Sequence, residues 1–361
     1  MQNQSLSTLK INVSNIVKNY LALKNMVGKS VKTAAVVKAN CYGLGYETIA
    51  PQLAHAGCDE FYVTTLDEGI ALRQSLKNQS IFILSGINKG EEAFFMQYNL
   101  IPVLNNQYQI DIWERAAKNK LKACLHVDTG MTRLGIEFNK IDEILQELEN
   151  HKLIDVVYII SHLACADNVS SKMNQEQFNK FQSIAKKYPQ YKYSFANSAG
   201  ILLDKKEYFF NQVRPGIALY GCNPFNKGNN IISPVVELKS KIIQIYHIKD
   251  EKSIGYNASY RLKPEMVTAT IPIGYADGYF RSLSNKGFCY INDVRVPIIG
   301  IISMDLISLD ITAIPDHLKV IGQEVELIGK NISVETIAAM ADTISYEVLT
   351  SLGSRTLREY V

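Results

Sequence analysis

No two of the six cysteines (Cys41, Cys58, Cys124, Cys165, Cys222 and Cys289) stand at C-x-x-C spacing. Their scatter excludes a disulfide framework and a ribbon-type zinc site, and it suits a reducing compartment. No stretch approaches the roughly 18 consecutive apolar residues that a membrane helix needs. The opening MQNQSLSTLKINVSN has no basic segment followed by an apolar one. The expectation is therefore a cytoplasmic protein without a secretory signal. Charge of one sign is missing too. The 38 lysines and arginines against 35 acids leave +3, too little to argue for nucleic acid or an anionic membrane as partner. There is no internal repeat, no low-complexity tract and no glycine-rich dinucleotide fingerprint after the first strand. What is present is an ordinary globular balance, 47% hydrophobic and 20% charged in 361 residues. At about 150 residues per domain that length fits two domains, and it can bury a core without covalent staples.

The first two-thirds alternates strand and helix patterns. Apolar strand candidates fall at Ala34–Val37, Phe61–Thr64, Ile81–Leu84, Ile101–Leu104, Leu121–Val127, Val156–Ser161, Tyr191–Phe195 and Val213–Ala218. Between them, Ile141, Ile144, Leu145 and Leu148 share one helical face, as do Phe178, Phe181, Ile184, Ala185 and Tyr188. Eight strands each alternating with a helix is the count of a closed (β/α)8 TIM-like barrel. An open doubly wound sheet is the alternative on pattern alone. Near Pro234 the pattern changes to short strands broken by Gly, Pro, Asn and Asp, with a helical finish at Val334–Ala341 and Tyr346–Leu352. The expected domains are residues 1–232, a barrel, and 233–361, mainly β.

Lys38 follows an apolar run in TAAVVKANCYGLG. In a parallel barrel the C-terminal strand ends carry the chemistry. A lysine approached by apolar chain is desolvated there, which lowers its pKa and frees an amine able to form a Schiff base. A lone lysine at a strand end is more often simply solvated, but Tyr42, Gly43 and Gly45 follow it in a tight loop. VVKANCYGLG closely resembles the lysine motif of alanine racemases, pyridoxal-phosphate enzymes built of a barrel and a β domain. Further segments resemble that family in order along nearly the whole chain. They are VDTGMTRLG (Val127–Gly135), SHLACAD (Ser161–Asp167), ANSAG (Ala196–Gly200), VRPGIALYG (Val213–Gly221), SIGYNASY (Ser253–Tyr260), IPIGYADGYFR (Ile271–Arg281), ISMDLI (Ile302–Ile307) and SYEVLTSLGSR (Ser345–Arg355).

The resemblance implies a two-base racemisation of alanine on pyridoxal 5'-phosphate, supplying D-alanine for peptidoglycan. Lys38 would serve the face of the D-enantiomer and Tyr256 that of the L-enantiomer. Free tyrosine titrates near about 10, so a neighbouring group must support its anion. His162, bonded to Tyr256 and in turn to Arg214, is the implied support. Met304 would hold the substrate, and Arg133 the substrate carboxylate or the phenolate side of the cofactor. Tyr42, Asn197, Ser198, Gly216, Ile217 and Tyr346 would hold the cofactor, the phosphate above all. Arg214 would face the ring nitrogen, and a guanidinium cannot accept a proton there. Asp305, Tyr275, Arg281 and Asp167 would support or narrow the entrance. Since Tyr256 and Met304 fall in the β domain and Lys38 in the barrel, the resemblance also implies a homodimer with composite sites. No metal is expected.

The chain departs from the family's pattern at four places. His126 stands where a carbamylated lysine often steers the arginine, so Arg133 needs a bound anion or a neighbouring acceptor instead. Ile301 replaces a common entrance arginine. Ser194 replaces a histidine that often precedes ANS, and NAS follows Tyr256 where GAT is common. The competing functions are a decarboxylase of the same architecture, a pyridoxal-phosphate-binding homeostasis protein, and a serine or broader racemase. The first is disfavoured because ISMDL and VRPGIALYG lack the cysteine and the glycine run of such decarboxylases. The second is disfavoured because such proteins are usually a barrel alone.

Overall fold

The computed structural model describes residues 6–225 and 231–361. The chain divides into two compact units. One spans Ile16–Ser233, and the other joins the segment ending at Asn15 to Pro234–Val361. The first strand, β1 (Ser7–Ile11), thus belongs with the C-terminal part and not with the barrel. The expected division at 232/233 left those residues on the wrong side, because β1 finds its partners more than 220 residues away.

The Ile16–Ser233 unit is a ring of parallel strands. In chain order these are β2 (Lys32–Thr33), β3 (Ala35–Val36), β4 (Glu60–Val63), β5 (Ser80–Ile83), β6 (Leu100–Leu104), β7 (Leu121–Asp128), β8 (Ile136–Glu137), β9 (Ile154–Ile160), β10 (Tyr193–Asn197) and β11 (Gln212–Arg214). β2 and β3 are two halves of one strand. β2 pairs with β11 and β3 with β4, which closes the barrel, while β8 is a short branch on β7. All eight expected strands are present. The last stops at Arg214 and does not reach Ala218, because Pro215 lacks an N–H for the ladder and Gly216 turns the chain.

The helices Ile141–His151 and Lys172–Lys187 bury the faces read from the sequence, Ile141, Ile144, Leu145 and Leu148 in one and Phe178, Phe181 and Ile184 in the other. Inside the ring the packing is partly polar. Tyr62 stacks on Phe82 at 4.5 Å, and Glu60 accepts from Tyr158 Oη and Gln212 Nε2.

The other unit is a nine-stranded sheet. To β1 it adds β12 (Val236–Lys241), β13 (Gln244–His247), β16 (Val267–Ile271), β17 (Phe288–Ile291), β18 (Val294–Ile299), β19 (Ile307–Asp310), β20 (Glu324–Ile328) and β21 (Leu357–Tyr360). Its order is β13-β16-β19-β18-β17-β20-β12-β1-β21. β14 (Lys252–Ile254) and β15 (Tyr260–Leu262) form a separate hairpin. β1 runs antiparallel to β12 and parallel to β21, so both ends of the chain meet in one sheet. Its alternating burial, Ser7, Leu9 and Ile11 inward, is the period-two pattern of a strand with one face on a core. No helix among the described residues is long and apolar enough to cross a membrane.

Candidate active site

Strand direction alone gathers the barrel's chemistry at one mouth. Lys38 follows β3, Arg133 lies in the loop after β7, His162 and Asp167 follow β9, Asn197 ends β10 with Ser198 next, and Arg214 ends β11 with Gly216 and Ile217 beyond. All are C-terminal strand ends of a closed parallel barrel, where such folds place catalysis.

Lys38 opens an unusual turn. Ala39, Asn40, Cys41 and Tyr42 all have φ between 50° and 56°. Left-handed backbone costs a non-glycine residue about 1–2 kcal/mol, so this segment is held by its surroundings. Glu68 is a principal holder. Its Oε1 accepts the Ala39 N–H at 2.6 Å, its Oε2 accepts the Thr64 N–H at 2.7 Å, and it completes a capping box with Thr65. Sequence reasoning missed Glu68, although the T-x-x-E spacing at Thr65–Glu68 is a readable helix-start signal. Burial, and then the positive charge of Arg133, hold the Lys38 amine below the usual lysine range, with Glu68 opposing. This is the desolvated amine that the apolar approach implied.

The phosphate segment is tight. Ser198 Oγ accepts the Gly216 N–H at 2.9 Å and the Ala218 N–H at 3.3 Å, drawing the turn after β11 together. A Cβ at Gly216 would lie 2.2 Å from Tyr42 Oη, so only glycine lets that phenol lie against this backbone. Tyr42 in turn packs on Tyr220, ring centroids 4.7 Å apart.

Arg214 is buried and donates to Ser194 Oγ and to Ser161 O, both at 2.5 Å. The expected bond from His162 to Arg214 is replaced by these two. His162 Nε2 instead faces Asn197 Nδ2 at 3.5 Å. Burial first, then the charges of Arg214 and Arg133, push His162 down to about 3, so it is neutral near pH 7.

His126 lies on β7, its Nδ1 2.8 Å from Asn105 Oδ1. Asn105 Nδ2 is committed to the Val103 and Leu84 carbonyls, which leaves Oδ1 as the acceptor and Nδ1 as the donor. Burial and Arg214 push His126 down to about 4. It is therefore a neutral ring with its Nε2 lone pair unused by that bond. After β7, Asp128 accepts the Gly130 and Thr132 N–H groups and folds the loop carrying Arg133 back, so that β8 pairs beside β7.

The second unit presents its residues differently. Tyr256 sits on a short 3-10 turn between Gly255 (φ 72°) and Asn257 (φ 58°) and is 69% exposed. Tyr275, Met304 and Tyr346 are exposed too. Gly274 packs where a Cβ would strike Met304 O at 2.4 Å, and the Tyr275 and Ala276 N–H groups bond Ser303 O and Met304 O, locking the tyrosine segment to the SMD segment. Arg355 bridges Asp305 (2.8 Å) and the buried Asp277 (3.0 Å). Arg281 is exposed at the start of a 3-10 turn.

A closed parallel barrel with a desolvated lysine at its mouth, a glycine-backed serine and tyrosine cradle, and an added β unit defines the class of barrel-plus-β pyridoxal-phosphate enzymes. The description of the alanine racemase N-terminal domain matches residues 11–224, and that of the C-terminal domain matches residues 235–360. An alanine racemase of Rickettsia africae is 42% identical over 361 residues, covering 99% of both chains. The alanine racemase of Bartonella henselae, solved with covalently bound pyridoxal phosphate, superposes with a TM-score of 0.94 at 38% identity, covering 99% of this chain and 100% of that one. That of Bacillus anthracis, solved with bound L-Ala-P, gives 0.90 at 27% identity, covering 100% and 96%. The chain belongs to the alanine racemase family, and its activity is that family's pyridoxal-phosphate-dependent interconversion of L- and D-alanine.

Proposed function

We propose that Lys38 Nζ and Tyr256 Oη are the two acid/base groups of this racemisation, Lys38 moving the proton on the face of the D-enantiomer and Tyr256 on that of the L-enantiomer. The observation that carries the reading is the gathering of Lys38, Arg133, His162, Ser198, Arg214 and Gly216 at one barrel mouth. These residues suit pyridoxal phosphate as a donor set. An amine of lowered pKa is available for the aldehyde, N–H and hydroxyl groups for the phosphate, and a buried guanidinium for the ring nitrogen. When bound, the cofactor supplies a conjugated ring that delocalises the electron pair left on the α-carbon, which no side-chain base could expose unaided.

The chain's own residues do the rest. Ser198, Tyr42, Tyr346 and the Ile217 N–H would hold the phosphate, together with the Gly216 N–H once it is released from Ser198 Oγ, with His162 and Asn197 beside the ring. Arg133 would hold the substrate carboxylate as a charged donor, with the Met304 N–H alongside. The neutral His126 would offer the acceptor that orients Arg133, in place of a carbamate or a bound anion. Arg214 would keep a full positive charge at the ring nitrogen, which then takes no proton. Tyr275, Arg281, Asp305 and Asp167 would narrow the entrance around a small side chain. Serine remains the closest competitor, since a small pocket rejects one hydroxyl poorly. Chiral chromatography over a panel of L-amino acids decides between them. The role supported is supply of D-alanine for peptidoglycan in the cytoplasm.

We further infer a homodimer in which the β unit of one protomer supplies Tyr256 to the barrel mouth of the other. Refolded mixtures of Lys38→Ala and Tyr256→Phe chains test it. Random pairing makes half of the dimers mixed, each with one intact site, so activity returns to about a quarter of wild type. No recovery in verified mixed dimers would place both bases in one chain.

A further inference from the structure

Inside the barrel a buried guanidinium and a half-buried carboxyl group do not meet. Arg214 reaches only neutral acceptors, Ser194 Oγ and Ser161 O, with the Tyr62 ring 5.9 Å from its Cζ. Among the described residues no carboxylate pairs with it. Glu60 points into the same ring of strands, yet it is taken up by Tyr158 Oη at 2.9 Å and Gln212 Nε2 at 2.7 Å.

Gln212 connects Glu60 to Ser194. Its side-chain Oε1 accepts from Tyr62 Oη at 2.8 Å, its Nε2 occupies Glu60, and its backbone carbonyl accepts from Ser194 Oγ at 2.9 Å. A serine has one hydroxyl hydrogen, and that bond uses it. The Ser194 oxygen can therefore face Arg214 only with lone pairs, so the direction of the contact is fixed. Ser194 and Gln212 are register partners. The ladder slips between that pair and Asn197–Arg214, a bulge of the kind that re-aims a side chain at the end of a strand.

A buried arginine ordinarily finds a carboxylate, because leaving a desolvated charge unpaired is costly. Here Arg214 has neutral acceptors in its place, while Glu60, at the first residue of its strand, is taken up by Tyr158 and Gln212. Resting on the function proposed above, we propose that Ser194 is a positioning residue that aims Arg214 at the cofactor's ring nitrogen without neutralising its charge. A full positive charge beside the ring keeps the nitrogen unprotonated. A neutralised guanidinium would let it take a proton, deepen the electron sink and favour transfer of the amino group from alanine to the cofactor, releasing pyruvate.

The test compares holoenzyme of wild type, Ser194→Asp and Ser194→Ala, loaded with pyridoxal phosphate labelled with 15N in the ring. The 15N shift is followed against pH, and pyruvate is counted per racemisation turnover. The aspartate should bring a protonated ring nitrogen into the neutral range and raise the pyruvate count about tenfold, the effect of about 1.4 kcal/mol on one barrier. The alanine variant, which keeps the charge but frees the guanidinium, should weaken cofactor binding severalfold with little change in the pyruvate count. Wild-type values of both readouts in Ser194→Asp would overturn the proposal. If that variant does not fold, unchanged cofactor affinity in Ser194→Ala would overturn it. A wild-type enzyme that fails to racemise alanine would sink the functional reading instead, and the ring-nitrogen signal would still report on Ser194.

Discussion

In the barrel, Arg214 is 5% exposed and Ser198 3%, while in the β unit Tyr256 is 69% exposed and Met304 52%. The barrel half prepares charge. It strips water from an amine and a guanidinium and fixes two histidines as neutral rings. The β half prepares shape. Glycines at 255 and 274 and carbonyl-to-amide locks set an array of phenols and one methionine without burying them. Burial tunes a group before substrate arrives, whereas exposed groups gain their environment only when something covers them. The two halves therefore need different disruptions to fail.

The largest effect should come from Lys38→Ala, which removes a base and the amine for the cofactor. Racemase activity should fall by more than about 10⁴, with no visible cofactor band retained after gel filtration. Tyr256→Phe should cost about 10²–10⁴ in turnover, and loss of solvent deuterium incorporation should be confined to one direction of the reaction. A Tyr256→Phe enzyme of wild-type turnover would remove the β unit from the chemistry.

Gly216→Ala tests the barrel's close packing. The new Cβ strikes Tyr42 Oη, so stability should drop by about 1–3 kcal/mol and cofactor affinity with it, by calorimetry and by titration. pH sharpens the contrast further. His126 and His162 have folded pKa values of about 4 and about 3, below the ordinary 6.5. The unfolded chain therefore binds more protons as pH falls. Stability from these rings is complete above about 6.5 and is lost progressively toward pH 4 and then 3. The Tm should decline over that window, and replacing His126 by Asn should flatten its upper part. The smallest effect is Ala39→Gly. Glycine accepts the φ of 50° freely, so stability should rise by about 1 kcal/mol with no gain in turnover.

Much of this was legible in the sequence because barrel strands and helices are local. Ile144 and Leu148 signal a buried face wherever they occur, and the motif from Val36 to Gly45 carries lysine, tyrosine and glycines within ten residues. What stayed hidden is non-local. Nothing within STLKI says that its neighbours will be Val236–Ser240 and Leu357–Tyr360. Glu60, Gln212 and Ser194 read as ordinary strand residues, and only closure of the ring makes them a hydrogen-bonded set. The family pattern marked Ser194 and His126 as departures, but the partners that give them meaning, the Arg214 guanidinium at the end of β11 and Asn105 just after β6, lie far along the chain.

Strand β1 lies between β12 and β21 in the sheet. Its segment leaves the ribosome 350 residues (357 − 7) before that of its neighbour β21. At about 5–20 residues per second the wait is roughly 20–70 s, during which the whole barrel can form on the tether. Translation thus builds the amine-bearing half early and leaves an unpaired edge waiting. A fragment begun at Pro234 would open both β12 and β21 to strangers, so domain-dissection work on this chain should carry its first fifteen residues along.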